Sequence, residues 1–593
     1  MFLRANIRKK NGKAHRYFSV VENRRVADGK FTQRQVLYLG EINDCQEAAW
    51  RKTLDVFDAR RQRSQTLALF PGDRPLPPDA TNAVRVKLDQ MRLRRPRCFG
   101  DCWLGQNVWR QLGLERFWDE KLGAQRGEVA WAKVLELLAI NRLIDPGTEF
   151  RLHRQWFDRS AMDELLGCDF AVAGKDRLYR CLDLVLPHKE AVFAHLKQRW
   201  QDLFNAEFDV LLYDLTSTYF EGLCERIPKA KHGYSRDGRP DCRQVVIALI
   251  VTPDGLPLAY EVLPGNTSDK TTLRAFLQLI ETRYGQARRV WVMDRGIPTE
   301  EVLTEMRADG VQYLVGTPKG RLTKLEQSFV GLPWRDVQEG VTVKLLEESG
   351  ELLVLAQSDA RLRKERAIRL RKLRKLYAGL QKLRRQRPER DILLKKLGAL
   401  THDAGRAANL VEIVVPPEGD TVTPLTFRWK LRWAKFKAAA RRDGRYILRT
   451  NLRGEDPAVL WQRYTQLTEV EAAFKNLKSD LAIRPIHHQL ERRVEAHIFV
   501  AFLGYCLLAT LRQRWRVHAP GLTPKAVLEK LATIQMLDVW LPTTDGRWLV
   551  LPRYTEPEEE HELLLERLQL MLPAQPPPRI HAGQIIPPGS PPA

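Results

Sequence analysis

The alternation of strand-like and helical segments that begins at Phe208 constrains the fold of this chain more than any other feature. Apolar runs with the length of buried strands occupy residues 208–213, 244–251, 257–262, 289–293 and 311–316. Helical patterns at 269–285 and 298–309 separate the last three runs, and the turn signal Asp254-Gly255 lies between the second and the third. The element order β-β-β-α-β-α-β predicts a mixed α/β domain.

Two acidic residues follow strands of this series, and a third lies in a helical pattern much further along the chain. Asp214 ends the first run and Asp294 ends the fourth. The element order is that of the ribonuclease-H-like fold, in which the first and fourth strands are neighbours, so we expect the two aspartates to end side by side. Glu471, inside a helical stretch at about 455–480, can converge on the same point.

Three converging carboxylates are typical of a site for divalent metal ions. Mg²⁺ (or Mn²⁺) prefers hard oxygen ligands and usually takes only a few carboxylates. Two such ions about 4 Å apart can activate an attacking oxygen and stabilise a leaving one at phosphorus. We therefore expect Asp214 to bridge two ions, with Asp294 and Glu471 each holding one. The alternative is that all three are ordinary turn and surface acids, because an Asp after a strand is most often a turn or cap residue.

The charge of the chain indicates a polyanionic partner. Lys and Arg number 97 against 73 Asp and Glu, which gives a net charge of +24 and a pI near 9.8. From Arg361 to Arg387 there are 13 basic residues and one acid, Glu365, and this net +12 is half of the chain's excess. A leucine stripe at Leu370, Leu373, Leu376, Leu380 and Leu383 predicts that the segment is a helix packed along one side. The cations expected to track a DNA backbone are Arg369, Arg371, Arg374 and Arg384. A solvated helix face is the alternative.

A second basic pattern accompanies Glu471. Lys478 follows it by seven residues, and at about 100° per residue the two side chains lie within about 20° of each other on a regular helix. Lys475 falls between them on the same side. An acid beside two cations suits a metal ligand next to phosphate contacts on an exposed face. The alternative, an i,i+4 surface ion pair, fits Glu471 and Lys475 alone.

Several short segments carry a family resemblance. They are Asp214–Gly222 (DLTSTYFEG), Gly265–Asp269 (GNTSD), Val292–Gly296 (VMDRG) and Arg484–His488 (RPIHH). Tyr464, Glu471 and Lys478 match three positions of a signature of Tyr, Arg, Glu and Lys, whose Arg position is Leu467 here. Over about residues 3 to 515 the chain resembles bacterial insertion-sequence DDE transposases, in the group named after insertion sequence four and most of all its 1634-type branch.

The resemblance implies a function and a set of residues. It implies a ribonuclease-H-like core with a β-rich insertion before the last acid, dependence on Mg²⁺ or Mn²⁺, and DNA transposition. Such an enzyme binds the terminal inverted repeats of its element, hydrolyses a phosphodiester at each end and joins the freed 3′-hydroxyl to target DNA. Tyr464 and Lys478 would contact DNA, and Arg463 and Lys475 are the candidates to replace the missing Arg. Because two ends must be held together, we expect a homodimer on double-stranded DNA.

The patterns divide the chain into a series of units. We expect a small β module (1–45), a helix and linker (46–100), a helical DNA-binding region (101–205), the catalytic core (206–317 and 446–515), an insertion with the basic helix (318–445), a C-terminal helical region (516–571) and a Pro-rich disordered tail (572–593). The fold class is thus mixed, multidomain α/β.

Two other functions are compatible with the same sequence patterns. A nuclease on the same fold would cut without joining, and a transposase-derived DNA-binding protein would have a silent active site. His487, His488 and His497 suggest a metal site, but a core or phosphate-contact role fits them better, since His is a poor Mg²⁺ ligand. No signal core or membrane span is apparent, so we expect a cytoplasmic, nucleoid-associated protein without a membrane partner.

Overall fold

The computed structural model describes most of the chain. The described residues are 2–10, 13–25, 31–41, 56–58, 63–65, 86–123, 129–267, 274, 277–278, 280–282, 289–294, 298–317, 325, 327–544 and 546–581. All statements below refer to this part of the chain.

The N-terminal residues form the predicted β module. Its three strands are β1 (Phe2–Lys10), β2 (Lys13–Arg25) and β3 (Phe31–Glu41). Both pairings are antiparallel, so the module is a meander in the order β1-β2-β3. In the stretch expected to be helical, the described residues are instead the short strands β4 (Val56–Asp58) and β5 (Arg63–Gln65).

A helical region precedes the catalytic part of the chain. Its longer helices are Gly100–Gln111, Leu114–Leu122, Trp131–Ile144, Lys175–Val185 and Lys189–Phe204. Shorter helical segments are Leu88–Gln90, Glu149–Arg151, Leu152–Trp156, Phe157–Arg159, Met162–Leu166, Phe170–Ala173 and Leu186–His188. The patterns predicted near 129–140 and 188–203 correspond to two of these helices.

The centre of the molecule is a nine-stranded sheet. Its strands are β7 (Val210–Tyr219), β8 (Gln244–Val251), β9 (Pro257–Pro264), β10 (Val290–Met293), β11 (Gln312–Gly316), β12 (Arg335–Gln338), β13 (Val341–Glu348), β14 (Glu351–Ser358) and β17 (Arg445–Thr450). The strand order is β12-β13-β14-β17-β11-β10-β7-β8-β9. All eight residues of β8 are buried, as expected for an apolar strand inside a sheet covered on both faces.

The first and fourth strands of the predicted series are neighbours. β7 and β10 pair in parallel, with Val290 opposite Val210 and Met293 opposite Tyr213. The next residue on each chain is an acid, Asp214 on one and Asp294 on the other. The expected side-by-side placement of the two aspartates is therefore confirmed at the level of the backbone register.

The boundary of the predicted insertion needs correction. Residues 318–445 were expected to form a separate unit, yet β12, β13 and β14 continue the central sheet, and β14 pairs with β17 from Leu352 opposite Thr450 to Gln357 opposite Arg445. The sequence pattern identifies these strands but not their partner, which comes about ninety residues later. The part that leaves the sheet is residues 359–443.

Residues 359–443 have a hydrophobic core of their own. The basic helix runs over Asp359–Gln386 and is followed by the helix Arg390–Ala404, the 3₁₀ turn Gly405–Leu410, strands β15 (Val411–Val414) and β16 (Arg428–Leu431), and the helix Trp433–Arg441. Four of the five predicted stripe leucines are buried there, together with Leu393 and Phe427, whereas Leu370 is exposed. The stripe is therefore a packing surface.

A long apolar helix, Glu491–His518, passes through the interior of the molecule. It packs against the helix Trp131–Ile144 and so joins the helical region to the core. By length and composition its residues Glu491–Arg516 could cross a membrane, but 94% of the most apolar window is buried inside the protein. Burial accounts for its composition.

The C-terminal region contains a sheet that the sequence patterns did not predict. Strands β18 (Gln535–Pro542), β19 (Trp548–Tyr554) and β20 (Arg579–His581) join β6 (Arg92–Cys98) in the order β20-β19-β18-β6. The helices of this region are Pro524–Leu531 and Glu559–Arg567. Residues 572–581 belong to this ordered part, contrary to the expected disordered tail, and 582–593 lie outside the described residues.

Candidate active site

The three acids predicted to act together line one cavity. It has a volume of about 350 Å³ and lies where the central sheet meets the helices Pro457–Thr465 and Leu467–Lys475. Its lining residues are Asp214, Asp294, Ser358, Arg361, Tyr446, Trp461, Tyr464, Thr465, Leu467, Thr468, Val470 and Glu471. Residues separated by more than 250 positions in sequence thus reach a common space, which we call the acid cavity.

Asp214 occupies a different position in its strand from the one expected. The apolar run before it suggested a strand end, but β7 continues to Tyr219, and Asp214 lies opposite Leu249 of β8. Pairing with β8 keeps the backbone extended after β10 has ended at Met293. Asp214 therefore lies beyond the end of the neighbouring strand β10. Its side chain is half-buried, and Oδ1 accepts a hydrogen bond from the Leu215 amide at 2.8 Å.

Asp294 and Glu471 are more open to solvent. Asp294 is the first residue after β10, and Glu471 lies on the helix Leu467–Lys475, where Val470 and Phe474 face the core. Both acids are exposed, and neither has a hydrogen bond or ion pair within the described residues. Their carboxylate oxygens are available to a ligand in the cavity.

Aromatic side chains form one wall of the acid cavity. The ring of Tyr464 stacks on Tyr446 with centroids 5.8 Å apart, and Tyr446 in turn contacts Trp461 at 5.3 Å. Leu467, at the signature position where the resemblance would place an Arg, is buried in the same wall. Tyr464 therefore lines the cavity, and the DNA contact that the resemblance implied for it stays a prediction.

The helix that carries Glu471 changes geometry before Lys478. The α-helix ends at Lys475, and Asn476–Asp480 form a π-helical turn. The alignment of side chains expected on a regular helix therefore applies to Glu471 and Lys475 but not to Lys478. Lys475 is exposed, whereas the Lys478 side chain is only 13% exposed and donates a 2.7 Å hydrogen bond to Oδ1 of Asp237.

Asp237 is a residue that the sequence patterns did not single out. Its side chain is 2% exposed, and Oδ1 also accepts a hydrogen bond from Arg484. Burial lowers the pKa of Lys478, although the contact with Asp237 acts in the opposite direction. Lys478 is thus part of a buried charge cluster beside the site and does not line the acid cavity.

The four cations predicted on the basic helix are not equivalent. Arg369 is 11% exposed and binds both carboxylate oxygens of Asp443 at 2.5 Å, so it has a structural role as an ion pair, and its contact with DNA stays a prediction. Arg384 is half-buried, with its guanidinium 4.7 Å from the ring centroid of Trp429. Arg371 and Arg374 are exposed and remain candidates for DNA contact.

The predicted histidines separate into one exposed and two buried side chains. His487 is exposed, while His488 and His497 surround the buried carboxylate of Glu149, with Nε2 of His488 at 3.5 Å and Nδ1 of His497 at 3.8 Å from Oε1. The guanidinium of buried Arg142 lies 3.4 Å from Nδ1 of His497 and 3.8 Å from Oε1 of Glu149.

The ligand atoms of Glu149, His488 and His497 lie within 4.8 Å of one another, which is close enough for a metal ion. The positive charge of Arg142 already compensates Glu149 at this point, so the group is a balanced polar core. Burial, reinforced by Arg142, lowers the pKa of His497 to about 4, so this ring is neutral at pH 7.

The acid cavity suits a hard divalent ion better. It offers carboxylate oxygens from three elements and no sulfur or imidazole among its lining residues. Two of the three carboxylates have no competing partner in the described residues. Residues 295–297, directly after Asp294, lie outside the described residues, as do residues 268–269 at the end of the Gly265–Asp269 motif.

Two protein families match parts of this chain. Residues 207–507 match the family model of the transposase DDE domain, and residues 3–65 match that of the N-terminal domain of IS1634 family transposases. None of the curated proteins matches. Among solved structures, a piggyBac transposase synaptic complex with hairpin DNA superimposes with a TM-score of 0.33 at 8% identity, covering 73% of this chain and 79% of that chain. The first match contains Asp214, Asp294 and Glu471.

Proposed function

Because the chain belongs to the family of transposases defined by the DDE domain, we propose that Asp214, Asp294 and Glu471 are its catalytic acids. The protein is a DDE-type DNA transposase, with an IS1634-type N-terminal domain. The observation that supports the residue assignment is the single cavity lined by all three acids. Each acid lies in the family match but on a different element.

We infer that the catalytic core is ribonuclease-H-like. The order β9-β8-β7-β10-β11 within the central sheet supports this, with β7, β10 and β11 parallel and β8 antiparallel to β7. In this arrangement the register between β7 and β10 brings Asp214 and Asp294 together. The helix Leu467–Lys475 contacts β7 and brings Glu471 to the same place.

Two Mg²⁺ or Mn²⁺ ions are the cofactor that this acid set fits. Asp214 would be shared by the two ions, and Asp294 and Glu471 would each hold one. Bound there, such ions supply Lewis-acid activation of the attacking oxygen and stabilisation of the leaving oxygen at phosphorus. The chain itself contributes the three carboxylates and the aromatic wall that limits the cavity on one side.

DNA binding outside the cavity is assigned to two exposed cations of the basic helix, Arg371 and Arg374. Arg371 and Arg374 lie on the exposed side of a helix whose other side packs into its own core. Contacts of this kind hold the backbone without reading sequence. Recognition of the terminal inverted repeats is assigned to the N-terminal β module and the helical region. A homodimer would hold the two element ends together.

Cleavage and joining assays test this proposal. Duplexes carrying the element ends are incubated with Mg²⁺ and a target plasmid, using wild-type protein and the variants Asp214→Asn, Asp294→Asn and Glu471→Gln. We expect each variant to bind the ends but to lose cleavage, because a lost ligand removes metal activation. Asp209→Asn is the matched control, since Asp209 is an exposed acid at the opposite end of β7.

Each outcome distinguishes between the candidate functions. Cleavage without joined product would indicate a nuclease, and end binding without cleavage by the wild-type protein would indicate a silent DNA-binding protein. Cleavage at the wild-type rate by any one of the three acid variants would remove that residue from the site.

A further inference from the structure

Among the described residues that line the acid cavity, one is a cation, Arg361, and the sequence patterns gave this residue no role of its own. It lies in the first turn of the basic helix, directly after the end of β14 at Ser358. Ser358 caps this helix by accepting a hydrogen bond from the Arg361 amide, and it lines the same cavity. The segment outside the central sheet therefore begins at the site.

The guanidinium of Arg361 is held in place from two sides. It lies 4.5 Å from the ring centroid of Tyr446, and its Nε donates to Oε1 of Glu365 at 3.2 Å. Glu365 is itself fixed, since its other oxygen accepts a hydrogen bond from the Gly444 amide at 3.1 Å. Within the described residues neither Nη group of Arg361 has a hydrogen-bond partner, and the side chain is 36% exposed.

A fixed guanidinium with two unused donor groups is suited to a phosphate. Arg binds phosphate through parallel N–H···O bonds, and a guanidinium already fixed by stacking loses little entropy on binding. The three carboxylates of the cavity repel a DNA backbone unless positive charge is supplied. The carboxylates would hold metal at the reacting phosphodiester. Arg361, the one cation among the described lining residues, is then available for the next phosphate along the strand.

Among the described residues, the other cations that could take this role lie elsewhere. Arg463 does not line the cavity and lies 3.5 Å from Glu455. Lys475 is exposed and also lies outside the lining. Leu467 lines the cavity, but its side chain is uncharged and cannot bind a phosphate.

We propose that Arg361 binds a DNA phosphate that flanks the scissile phosphodiester and thereby positions the strand in the acid cavity. This proposal rests on the function proposed above and adds a phosphate-binding residue to it. It also assigns the basic helix a part in the active site, because the helix begins there.

The test combines protein variants with chemically altered DNA. Single-turnover cleavage at saturating DNA is measured for wild type, Arg361→Ala, Arg361→Lys and Arg361→Gln. Arg363→Ala is the matched control, an exposed Arg two positions further on the same helix and outside the cavity lining. Each protein is assayed on duplexes with one neutral methylphosphonate at each phosphate flanking the scissile one in turn.

We expect Arg361→Ala to slow cleavage by about 100-fold, which is the scale of a misplaced reacting group, while Arg363→Ala cleaves as wild type does. One methylphosphonate position should slow the wild-type protein and have no further effect on Arg361→Ala, because both changes remove the same contact. Arg361→Lys should recover part of the rate.

Wild-type rates for Arg361→Ala, or losses that multiply at every methylphosphonate position, would overturn the proposal. If thermal melting shows that the Ala variant does not fold, Arg361→Gln replaces it in the same comparison, because its stem can still cover Tyr446. A wild-type protein that cleaves no end DNA would instead contradict the function proposed for the acids, and would do so before any Arg361 variant is measured.

Discussion

At the scale of single residues, burial changes what Lys478 is expected to do. An exposed lysine contributes about 0.5 kcal/mol or less to stability, but Lys478 shares the buried carboxylate of Asp237 with Arg484. Its removal leaves a buried charge with one partner fewer. The resemblance implied a DNA contact at this position, and that role stays a prediction beside the structural one.

We predict that Lys478→Met lowers the melting temperature, at a cost of about 1–3 kcal/mol for the partner left behind. Asp237→Asn should do the same, and the double variant should lose less than the sum of the two, because the residues act on one another. Thermal melting of the four proteins measures this, with the exposed Lys475→Met as the control. Additive losses would show that the two side chains do not interact.

His497 provides a prediction about pH. Its pKa is lowered to about 4 in the folded protein by burial and by Arg142, against about 6.5 in an unfolded chain. Between these values the unfolded state binds the extra proton, so stability is complete above about pH 6.5 and falls as the pH drops toward 4.

We predict that the melting temperature falls between pH 7 and pH 5 and that His497→Gln makes this dependence shallower. The slope is the readout, since the substitution also alters the absolute stability. His487→Gln, at an exposed position of the same segment, should leave the slope unchanged. An identical slope in wild type and His497→Gln would assign the pH dependence to other groups.

At the scale of secondary-structure elements, the basic helix has two sides with different tasks. One side carries the buried leucines and Arg369, which is paired with Asp443, and the other carries exposed cations such as Arg371 and Arg374. A sequence pattern shows the leucine stripe but not which arginine meets an acid 74 positions later.

We predict that Arg371→Ala and Arg374→Ala weaken binding to element-end and random DNA about equally. Each lost phosphate contact should flatten the slope of log affinity against log salt by about 0.9. Arg369→Ala is the contrasting variant, and it should lower the melting temperature because it leaves Asp443 buried without its partner. Affinity measured across a salt series decides this, and an unchanged slope for the first two variants would make that face a solvated surface.

Local patterns were sufficient for some elements and not for others. The apolar runs of β7 to β11 and the leucine stripe could be read directly, because each element's own periodicity carries the signal. The π turn at Asn476–Asp480 could not, since five residues of apolar periodicity do not distinguish a π-helical turn from an α-helical one. The pairing of β6 with β18 joins segments more than 430 residues apart, and strand periodicity says nothing about so distant a partner.

At the scale of the whole molecule, the fold brings together acids that the sequence keeps apart. The sheet register aligns Asp214 with Asp294, and the helix Leu467–Lys475 adds Glu471 after residues 359–443 have left the sheet and returned through β17. The sequence patterns indicated the three acids and the strands or helix that carry them. The lining of their cavity by Arg361 was not, because it depends on where the basic helix begins.

If the three acids hold metal ions in one site, activity should depend on how well each ligand atom suits the metal that is supplied. Asp294→Cys replaces a hard oxygen ligand by a softer sulfur, which Mg²⁺ accepts poorly and Mn²⁺ better. End cleavage is measured in each metal for this variant, for wild type and for the control Asp209→Cys. We predict that Asp294→Cys is inactive with Mg²⁺ and recovers cleavage with Mn²⁺, whereas the control cleaves with both. Equal cleavage by Asp294→Cys in the two metals, at the wild-type rate, would show that Asp294 is not a metal ligand.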